Sequence, residues 1–480
     1  DRCSFERSWL PVGEGVFPLL RGEDSSVFRR FLKRLDFVSG VLVSELGLFD
    51  PLDRTGTYSD RYRHGPGAVS DAVSTHYKYV FPHWPRKLEY SFPFDYCGSE
   101  SLQPNYEPST HEPSSKLIAV PKTAKGPRLI ASEPIAHQWC QQWIKNQLID
   151  RMKTCRLGKF INTLDQSLSQ RMVHDASIHR SLCTLDLSSA SDRVSCRHIE
   201  ALLASNRSLL ELVHAVRTRY IRDSLAGVSE YLKLKKFAAM GSALTFPMQS
   251  IFFLAVVLAS CGARTTKDID DLVGKVRVFG DDIIAPNNAY ATIASNLTAL
   301  GLKVNLRKSF HLGYFRESCG LDSYRGDSVT PVKPKTLWCT SPESYQAIID
   351  VSNNLHSAGF WFAARTVSSI AKLKGFRPGV VGRGSGLAGL ESFTRCLPTT
   401  PVRWNKQLQR WETRIVQLVS KQKRQVQHIS QALLEFFSFA SSRDDLERRV
   451  PPALDYRENV IETGLANNRA AVLAARWVAF

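Results

Sequence analysis

The sequence predicts a mixed protein of the α/β or α+β class, built from two or three interlocked subdomains. Short apolar strands alternate with helical segments through the middle of the chain, as in both of these classes. The length of 480 residues exceeds the roughly 250–300 residues at which a single hydrophobic core stops growing. A composition of 43% hydrophobic and 22% charged residues is that of a folded protein, which excludes disordered, collagen-like and low-complexity chains.

The hydrophobic pattern predicts the individual elements in chain order. They are strands over 117–120 and 129–131 around a basic turn, a helix over 135–152, a strand over 182–187, a helix over 199–210, a buried helix over 246–259, two strands meeting at a turn over 276–285, a helix over 289–300 and a strand over 302–306. Beyond about residue 330 helical signals dominate, and 403–437 is typical of one or two long amphipathic helices.

The charge of the chain indicates a polyanionic partner. Sixty-three Lys and Arg residues against 45 Asp and Glu residues give a formal net charge of +18. Such an excess favours nucleic acid, because binding phosphates releases condensed counterions, although charge also serves to keep a basic protein soluble.

The sequence also indicates where the chain is located. No apolar run is long enough for a membrane-spanning helix. Ten cysteines without a C-x-x-C pair indicate reduced thiols in the cytosol. Because the chain begins with Asp1, we expect an N-terminal piece to be missing.

The segment 403–430 is strongly basic and carries two tryptophans, Trp404 and Trp411. A basic helix with aromatic side chains is suited to following a phosphate backbone. A solvated helix face with the indoles buried in the core explains the same pattern, and both interpretations remain open.

Two adjacent carboxylates, Asp281 and Asp282, follow Gly280 between two apolar strands. A hairpin turn explains the glycine and one aspartate. It does not explain the second aspartate, because an unpaired charge is costly at the start of a buried strand. Rigidly held carboxylates of this kind suit Mg²⁺, which binds through one or two carboxylates together with substrate phosphates.

Asp186 and Asp192 form a second acidic site, in which Asp186 closes an apolar strand and Asp192 follows six residues later. A strand-end turn explains Asp186, and a helix N-cap explains Asp192. Two strand-borne acidic sites in a basic chain nevertheless favour a trap for cations, and a pair of metal ions can activate a hydroxyl and stabilise a leaving pyrophosphate.

Between the two acidic sites, a glycine-containing loop leads directly into the buried helix. Gly241 would allow the backbone to approach a ligand, and Ser242, Thr245 and Gln249 could offer hydrogen bonds. An ordinary helix start explains the same residues.

The succession of these motifs resembles the right-hand viral RNA-dependent RNA polymerases, and in particular the replicase subunit of the positive-strand RNA bacteriophages, the leviviruses. The resemblance covers about residues 60–330, and the last 150 residues are similar only loosely. It is carried by Arg63-His-Gly-Pro-Gly-Ala68, Val120-Pro-Lys-Thr-Ala-Lys125, Ser132-Glu-Pro134, Leu185-Asp-Leu-Ser-Ser-Ala-Ser-Asp192, Met240-Gly241, Phe279-Gly-Asp-Asp-Ile-Ile284 and Phe315-Arg-Glu-Ser-Cys-Gly320.

The resemblance implies an α+β right-hand polymerase with fingers, a palm of antiparallel sheet and helices, and a largely helical thumb. The implied domains are an N-terminal region with part of the fingers (1–110), fingers with a basic nucleotide-binding segment (111–180), a palm (181–330) with a fingers insertion at about 205–238, and a helical thumb (331–480).

The resemblance also implies the roles of site residues. Asp186 and Asp281 would ligate two Mg²⁺ ions, for which Mn²⁺ is a substitute, and Asp282 would assist. Asp192 would accept a hydrogen bond from the ribose 2′-OH. The remaining nucleotide contacts would come from Lys122, Lys125, Arg128, Gly241, Ser242, Thr245 and Gln249.

Two further roles are open to rival explanations. Lys308 would protonate the pyrophosphate, with Arg307 as its rival, and either could be a solvated strand-end charge. Arg316 would contact the primer or RNA beside Glu317, although a structural ion pair between these two residues is an equal explanation.

The implied activity is RNA-templated RNA synthesis from ribonucleoside triphosphates, replicating a phage genome in the bacterial cytoplasm. The implied partners are the host elongation factors Tu and Ts and, in some cases, ribosomal protein S1. The alternatives are the polymerase of a capsidless RNA element, a reverse transcriptase and an inactive RNA-binding module. The small residues at 190–192 disfavour the reverse transcriptase, which carries a bulky aromatic there to exclude the 2′-OH. The presence of all the metal carboxylates disfavours the inactive module.

Overall fold

The computed structural model divides the chain into two units, Asp1–Thr330 and Pro331–Phe480, which are called unit 1 and unit 2 below. The residues that it describes are 25–53, 62–65, 67–71, 78–79, 81, 83–98, 108–123, 126–223, 230–334, 336, 338–372, 378–382, 389–392, 401–422 and 469–479.

The described part of unit 1 combines helices with three sheets. Its helices are α1 (Ser25–Ser44), α2 (Arg86–Glu89), α3 (Phe94–Cys97), α4 (Ile135–Thr154), α5 (Leu157–Phe160), α6 (Ser167–His179), α7 (Ala190–Arg193), α8 (Cys196–Leu202), α9 (Arg207–Val216), α10 (Thr245–Ser260), α11 (Thr266–Asp270) and α12 (Tyr290–Ala299), with a 3₁₀ turn at Asn287–Ala289. Its strands are β1 (Ser115–Thr123), β2 (Gly126–Ser132), β3 (Leu182–Leu185), β4 (Tyr220–Asp223), β5 (Glu230–Lys233), β6 (Arg277–Phe279), β7 (Asp282–Pro286), β8 (Phe315–Ser318), β9 (Leu321–Tyr324) and β10 (Asp327–Ser328).

The strands of unit 1 form the sheets β2-β1-β4-β5, β3-β7-β6 and β10-β9-β8. Their pairings are antiparallel except that of β1 with β4. Of the two classes that the sequence left open, the structure therefore confirms α+β.

Helix α10 forms the centre of the unit 1 core. It is apolar on all sides, with Ile251, Phe253 and Leu254 completely buried. The helix contacts α1 on one side and α12 and β6 on others, so no polar face is needed. Among the described residues, no helix combines the length and the apolar character that crossing a membrane requires.

Two predicted elements of unit 1 differ in the structure. The helix expected over 199–210 is two helices, α8 and α9, because Asn206 caps the second by accepting the N–H of Leu209 at 3.1 Å. The strand expected over 302–306 is absent from this described segment, where Val304 makes only a single bridge to Leu187. The other predicted elements between 117 and 300 are confirmed with shifted ends.

Unit 2 contains α13 (Pro342–Ser357) and α14 (Trp361–Ile370), which pack against each other. Its strands are β11 (Val380–Gly382), β12 (Leu390–Ser392), β13 (Val402–Asn405), β14 (Arg410–Gln422) and β15 (Arg469–Ala479), in sheets β11-β12 and β13-β14-β15. The expectation of a largely helical 331–480 is therefore wrong for the described part.

The predicted basic helix at 403–430 is a β-hairpin as far as residue 422, and 423–437 lies outside the described residues. Asn405 begins the turn by accepting the N–H groups of Gln407 and Leu408, both at 3.1 Å. Trp404 then pairs with Trp411 across the strands, and both indoles are exposed rather than buried in the core.

Candidate active site

Strands β3, β7 and β6 bring three carboxylates to one edge of a sheet. Strand β3 runs antiparallel to β7, with Leu185 opposite Ile283, so the end of β3 lies beside the start of β7. Asp186 follows β3 directly, and Asp282 is the first residue of β7. Asp281 precedes it in the turn from β6. These three residues are called the carboxylate cluster below.

The turn that carries Asp281 and Asp282 requires glycine at position 280. Gly280 has φ +64°, in the left-handed region that favours glycine, and a Cβ there would lie 2.7 Å from a ring carbon of Phe246. The Phe246 ring in turn packs edge-on against Phe279, with 5.0 Å between ring centroids. The Gly280 turn therefore packs against Phe246 at the start of α10.

Burial and the nearby charge of Asp281 act on the two half-buried members of the carboxylate cluster, Asp186 and Asp282. Burial, followed by the nearby charge of Asp281, raises the pKa of Asp282 to about 6. Burial also raises the pKa of Asp186, with a further contribution from Asp281, against a hydrogen bond that Asn305 donates to Asp186 at 2.7 Å. A cation at this edge would relieve the repulsion among the three groups.

The donor chemistry of the carboxylate cluster fits Mg²⁺. Within the residues that the structure describes, no group of three or more His, Cys, Asp or Glu side chains is arranged to hold a metal ion by itself. Mg²⁺ does not need such a group, because it usually binds through one or two carboxylates and completes its shell with water and substrate phosphates. Oxygen donors that repel one another when no cation is present are consistent with this mode of binding.

Asp192 lies on the short helix α7 and forms an ion pair with Lys236. The Nζ of Lys236 donates to Oδ1 of Asp192 at 2.8 Å, and both side chains are largely withdrawn from water. The carboxylate does not cap a helix with its side chain, because the N-cap of the next helix is Ser195. Sequence reasoning missed Lys236, since the two residues are 44 positions apart and share no local pattern.

The predicted nucleotide loop is packed against strand β2. The N–H of Ala131 donates to the carbonyl of Met240 at 2.6 Å, and Gly241 has φ +123°. A Cβ on Gly241 would lie 1.8 Å from the carbonyl oxygen of Ala131, so only glycine fits. Gly241 itself is exposed, and the loop leads into α10 as predicted.

The polar side chains of this loop are partly engaged by the fold. Thr245 is buried and donates its hydroxyl to the carbonyl of Ala239 at 2.7 Å, which gives it a structural bond. The Oγ of Ser242, which is half-buried, accepts the N–H of Leu244. Gln249 is buried beside Gly280, and its Oε1 finds no hydrogen-bond partner among the described residues.

Of the three basic residues predicted to bind the triphosphate, one has a described side chain. Arg128 is exposed on β2, opposite Val120 of β1. Lys125 lies outside the described residues, and Lys122 lies on β1 with only its backbone described.

Lys308, rather than Arg307, is tied electrostatically to the carboxylate cluster. Its Nζ donates to Oε1 of Glu317 at 3.1 Å. This bond raises the pKa of Lys308, and the charges of Asp186 and Asp282 act in the same direction. Arg307 is exposed on the neighbouring turn.

Arg316 has a structural role, which corrects the prediction that it contacts RNA. The residue is completely buried, and its guanidinium donates to backbone carbonyls, among them those of Leu182 and Phe315 at 2.7 Å. It therefore joins β8 to the first residue of β3. The predicted ion pair with Glu317 is also wrong, because Glu317 pairs with Lys308.

Two residues that the sequence did not mark support the site. Ser250 on α10 accepts the N–H of Gly280 at 3.1 Å. Gln141 on α4 donates to the buried Glu133 at 3.1 Å and accepts the N–H of Ala243 at 3.3 Å, which connects the Ser132-Glu-Pro134 segment to the nucleotide loop. Only the polarity of Ser250 within an apolar helix could have drawn attention to it.

Comparison with known proteins places these features in a family of polymerases. The model of the family described as RNA replicase, beta-chain, matches residues 94–358. The RNA-directed RNA polymerase beta chain of Escherichia phage MS2 is 35% identical over 45% of this chain and 36% of its own length. The corresponding subunit of Escherichia virus Qbeta is 34% identical over 46% of this chain and 35% of its own length.

The match to the family model spans more than half of the sequence, and this chain belongs to the RNA replicase beta-chain family. The matched part spans little more than a third of the length of these curated relatives. Among solved structures, the RNA-dependent RNA polymerase of a human picobirnavirus is similar with a TM-score of 0.37 and 12% identity, over 54% of this chain and 55% of that one.

Proposed function

We propose that this chain carries the polymerase centre of an RNA replicase, which copies an RNA template into RNA from ribonucleoside triphosphates. The observation that carries the proposal is the carboxylate cluster, in which Asp186, just after β3, lies beside Asp281 and Asp282 at the start of the neighbouring strand β7. A sheet edge at which the charge of Asp281 helps to raise the pKa of Asp186 and Asp282 is suited to divalent cations and to the phosphates those cations accompany.

Mg²⁺ ions held by Asp186 and Asp281 would activate the attacking 3′-hydroxyl and stabilise the leaving pyrophosphate, with Mn²⁺ as a substitute. Asp282 supports this pair from the start of β7. Its Oδ2 accepts the N–H of Cys319 at 3.3 Å, which holds the carboxylate toward the edge of the sheet. Lys308 reaches the same edge as a cation and is the proposed donor of a proton to the pyrophosphate.

The nucleotide itself is proposed to lie between the carboxylate cluster and the loop at Gly241. Asp192 accepts the ribose 2′-OH, while Ser242, Thr245 and Gln249 line the loop and the start of α10. The unpartnered Oε1 of Gln249 supports a role in binding, because a buried acceptor without a donor is costly and a ligand can supply one. Lys122, Lys125 and Arg128 complete the proposed site on the triphosphate side.

The right-hand architecture is part of the same proposal. The sheet β3-β7-β6 with α10 forms the palm, and the sheet β2-β1-β4-β5 belongs to the fingers, where β4 and β5 fall within the insertion expected at about 205–238. Unit 2 is the proposed thumb. The net charge of +18 favours an RNA template and product as partners.

The biological setting is also a proposal. The relatives come from bacteriophages, which supports replication of a positive-strand phage genome in the bacterial cytoplasm. Elongation factors Tu and Ts, and in some systems ribosomal protein S1, are the proposed host partners.

Incorporation of labelled ribonucleotides on a C-rich RNA template tests the proposed function. The chain is expressed in bacteria so that host proteins can co-purify, and synthesis is measured with Mg²⁺ and again after chelation. We expect templated synthesis by the parent, none by Asp281→Asn, and nearly equal template binding by both. No synthesis by a preparation that contains the host factors, together with intact RNA binding, would indicate an RNA-binding module instead.

A further inference from the structure

The ion pair between Lys236 and Asp192 is short and partly withdrawn from solvent. The Nζ–Oδ1 distance is 2.8 Å, with 12% of the lysine side chain and 25% of the aspartate side chain exposed. A charge-assisted hydrogen bond in such surroundings is stronger than an ion pair at the surface. It engages one carboxylate oxygen, so the other oxygen keeps its capacity to accept a hydrogen bond.

The backbone on both sides of this pair is held rigidly. The N–H of Phe237 donates to the carbonyl of Val194 at 2.8 Å, which joins the segment that carries Lys236 to the end of α7. Arg217 holds the same segment from behind, because its guanidinium donates to the carbonyls of Leu234, Lys236 and Phe237 at 2.8–2.9 Å. The geometry of the ion pair is therefore set before any ligand binds.

The chain that carries Lys236 continues directly into the nucleotide loop. Four residues later, the carbonyl of Met240 accepts the N–H of Ala131, and Gly241 then packs against the same strand. One short segment thus fixes the orientation of the Asp192 carboxylate and the position of the loop proposed to contact the nucleotide.

We propose that Lys236 is a positioning residue for ribose selection, which holds the Asp192 carboxylate so that its second oxygen receives the 2′-OH of the incoming ribonucleotide. This inference rests on the proposed polymerase function. Lys236 acts through Asp192 and does not contact the substrate itself. A carboxylate without this lysine would rotate, and its acceptor oxygen would be aimed at the 2′-OH for only part of the time.

The ratio of kcat/KM for a ribonucleoside triphosphate to kcat/KM for its 2′-deoxy analogue measures this role. We expect Lys236→Met to lower the ratio by about tenfold, which is the scale of one hydrogen bond to a charged group. Lys236→Arg keeps a cation and should restore most of the ratio. Lys235→Met is the matched control, because Lys235 is the exposed neighbour, and it should leave the ratio unchanged.

A double-mutant cycle distinguishes a role of Lys236 in positioning Asp192 from a general contribution of Lys236 to the stability of the fold. In an Asp192→Asn background, Lys236→Met should no longer change the ratio, because there is no carboxylate to orient. An unchanged ratio in Lys236→Met, with equal losses for both nucleotides and a lower melting temperature, would overturn the inference while leaving the polymerase in place. Absence of templated synthesis by the parent would overturn the proposed function and the inference with it.

Discussion

The Oγ of Ser250, in the middle of helix α10, accepts the backbone N–H of Gly280 at 3.1 Å. The same hydroxyl donates to the carbonyl of Phe246 at 2.8 Å, one turn earlier in the helix. Because Gly280 immediately precedes Asp281, this bond ties two members of the carboxylate cluster to the most deeply buried helix of unit 1. The position of the cluster therefore depends on a side chain that contacts no substrate.

Ser250→Ala should lower nucleotide incorporation by about tenfold while the protein remains folded. The substitution removes one buried hydrogen bond, which costs about 1 kcal/mol, and leaves the N–H of Gly280 without its acceptor. The turn can then shift, and the carboxylates are displaced relative to each other. Incorporation rate and melting temperature are to be measured on the same preparation.

Ser260→Ala is the control for this prediction. Ser260 lies on the same helix, donates to the carbonyl of Val256 at 2.7 Å, and accepts an N–H of the Asn296 side chain at 2.9 Å. It should cost a similar amount of stability without loss of synthesis. Equal losses of activity in the two variants would show that the bond to Gly280 has no special importance.

Gly241→Ala should destabilise the nucleotide loop severely. A methyl group at this position would lie 1.8 Å from the carbonyl oxygen of Ala131, and the backbone is in the left-handed region. Strain of this kind costs about 1–3 kcal/mol, and relief of the overlap requires the loop to move away from β2. We expect loss of synthesis and faster proteolysis near residue 241.

Gly262→Ala isolates the overlap from the backbone strain. Gly262 has φ +95°, but a Cβ there would meet nothing within 4 Å. This variant should lose stability through strain alone and retain synthesis. If both variants kept full activity, the close approach of Gly241 to Ala131 would not matter for function.

Local patterns predicted the parts of this fold that depend on local physics. Helix α10 follows from an uninterrupted apolar run, and the β6–β7 hairpin follows from two apolar strands around Gly280-Asp-Asp. That Asp186 acts together with Asp281 followed only from the resemblance, because β3 pairs with β7 and not with β6, the next strand of this sheet along the chain.

The sequence did not predict the polar contacts between residues that are far apart in the chain. Arg316 looks like a surface cation, yet the fold buries it and supplies backbone carbonyls as acceptors. Lys236 and Asp192 meet because the bond from Phe237 to Val194 and the guanidinium of Arg217 hold the chain beside α7. At 403–422, cross-strand pairing of Trp404 with Trp411 overrides the helical spacing of the apolar residues.

Lys308→Met should lower kcat by about 10²-fold, the lower end of what a general acid contributes. Lys308 donates a hydrogen bond to Glu317, and the charges of Asp186 and Asp282 help to raise its pKa. Arg307→Met should change kcat little, because it is Lys308 that interacts with the charges of the carboxylate cluster. Single-turnover incorporation at saturating nucleotide measures the step, and equal rates for the two variants would contradict the proposed proton donor.

His198 gives the fold a pH dependence that is independent of the active site. The side chain stacks on Phe252 with 4.8 Å between ring centroids, and its Nδ1 accepts the N–H of Ser195 at 3.1 Å. Burial lowers the pKa of His198 to about 4, from an ordinary value near 6.5. The folded state thus favours the neutral ring, and its contribution to stability is complete above pH 6.5 and is lost as the pH falls from 6.5 towards 4.

His198→Gln should therefore flatten the acid side of the stability curve. Glutamine at this third helical position can keep the reciprocal bond to the N–H of Ser195, and it does not titrate. Between pH 7 and pH 5, the free energy of unfolding in urea should fall by about 2 kcal/mol more in the parent than in the variant. His179→Gln, a substitution at an exposed helix end, should retain the slope of the parent. If the free energy of unfolding of His198→Gln falls between pH 7 and pH 5 as steeply as that of the parent, the prediction is wrong. The substitution removes only one titrating group, the imidazole stacked on Phe252, so the loss of stability would then have another source.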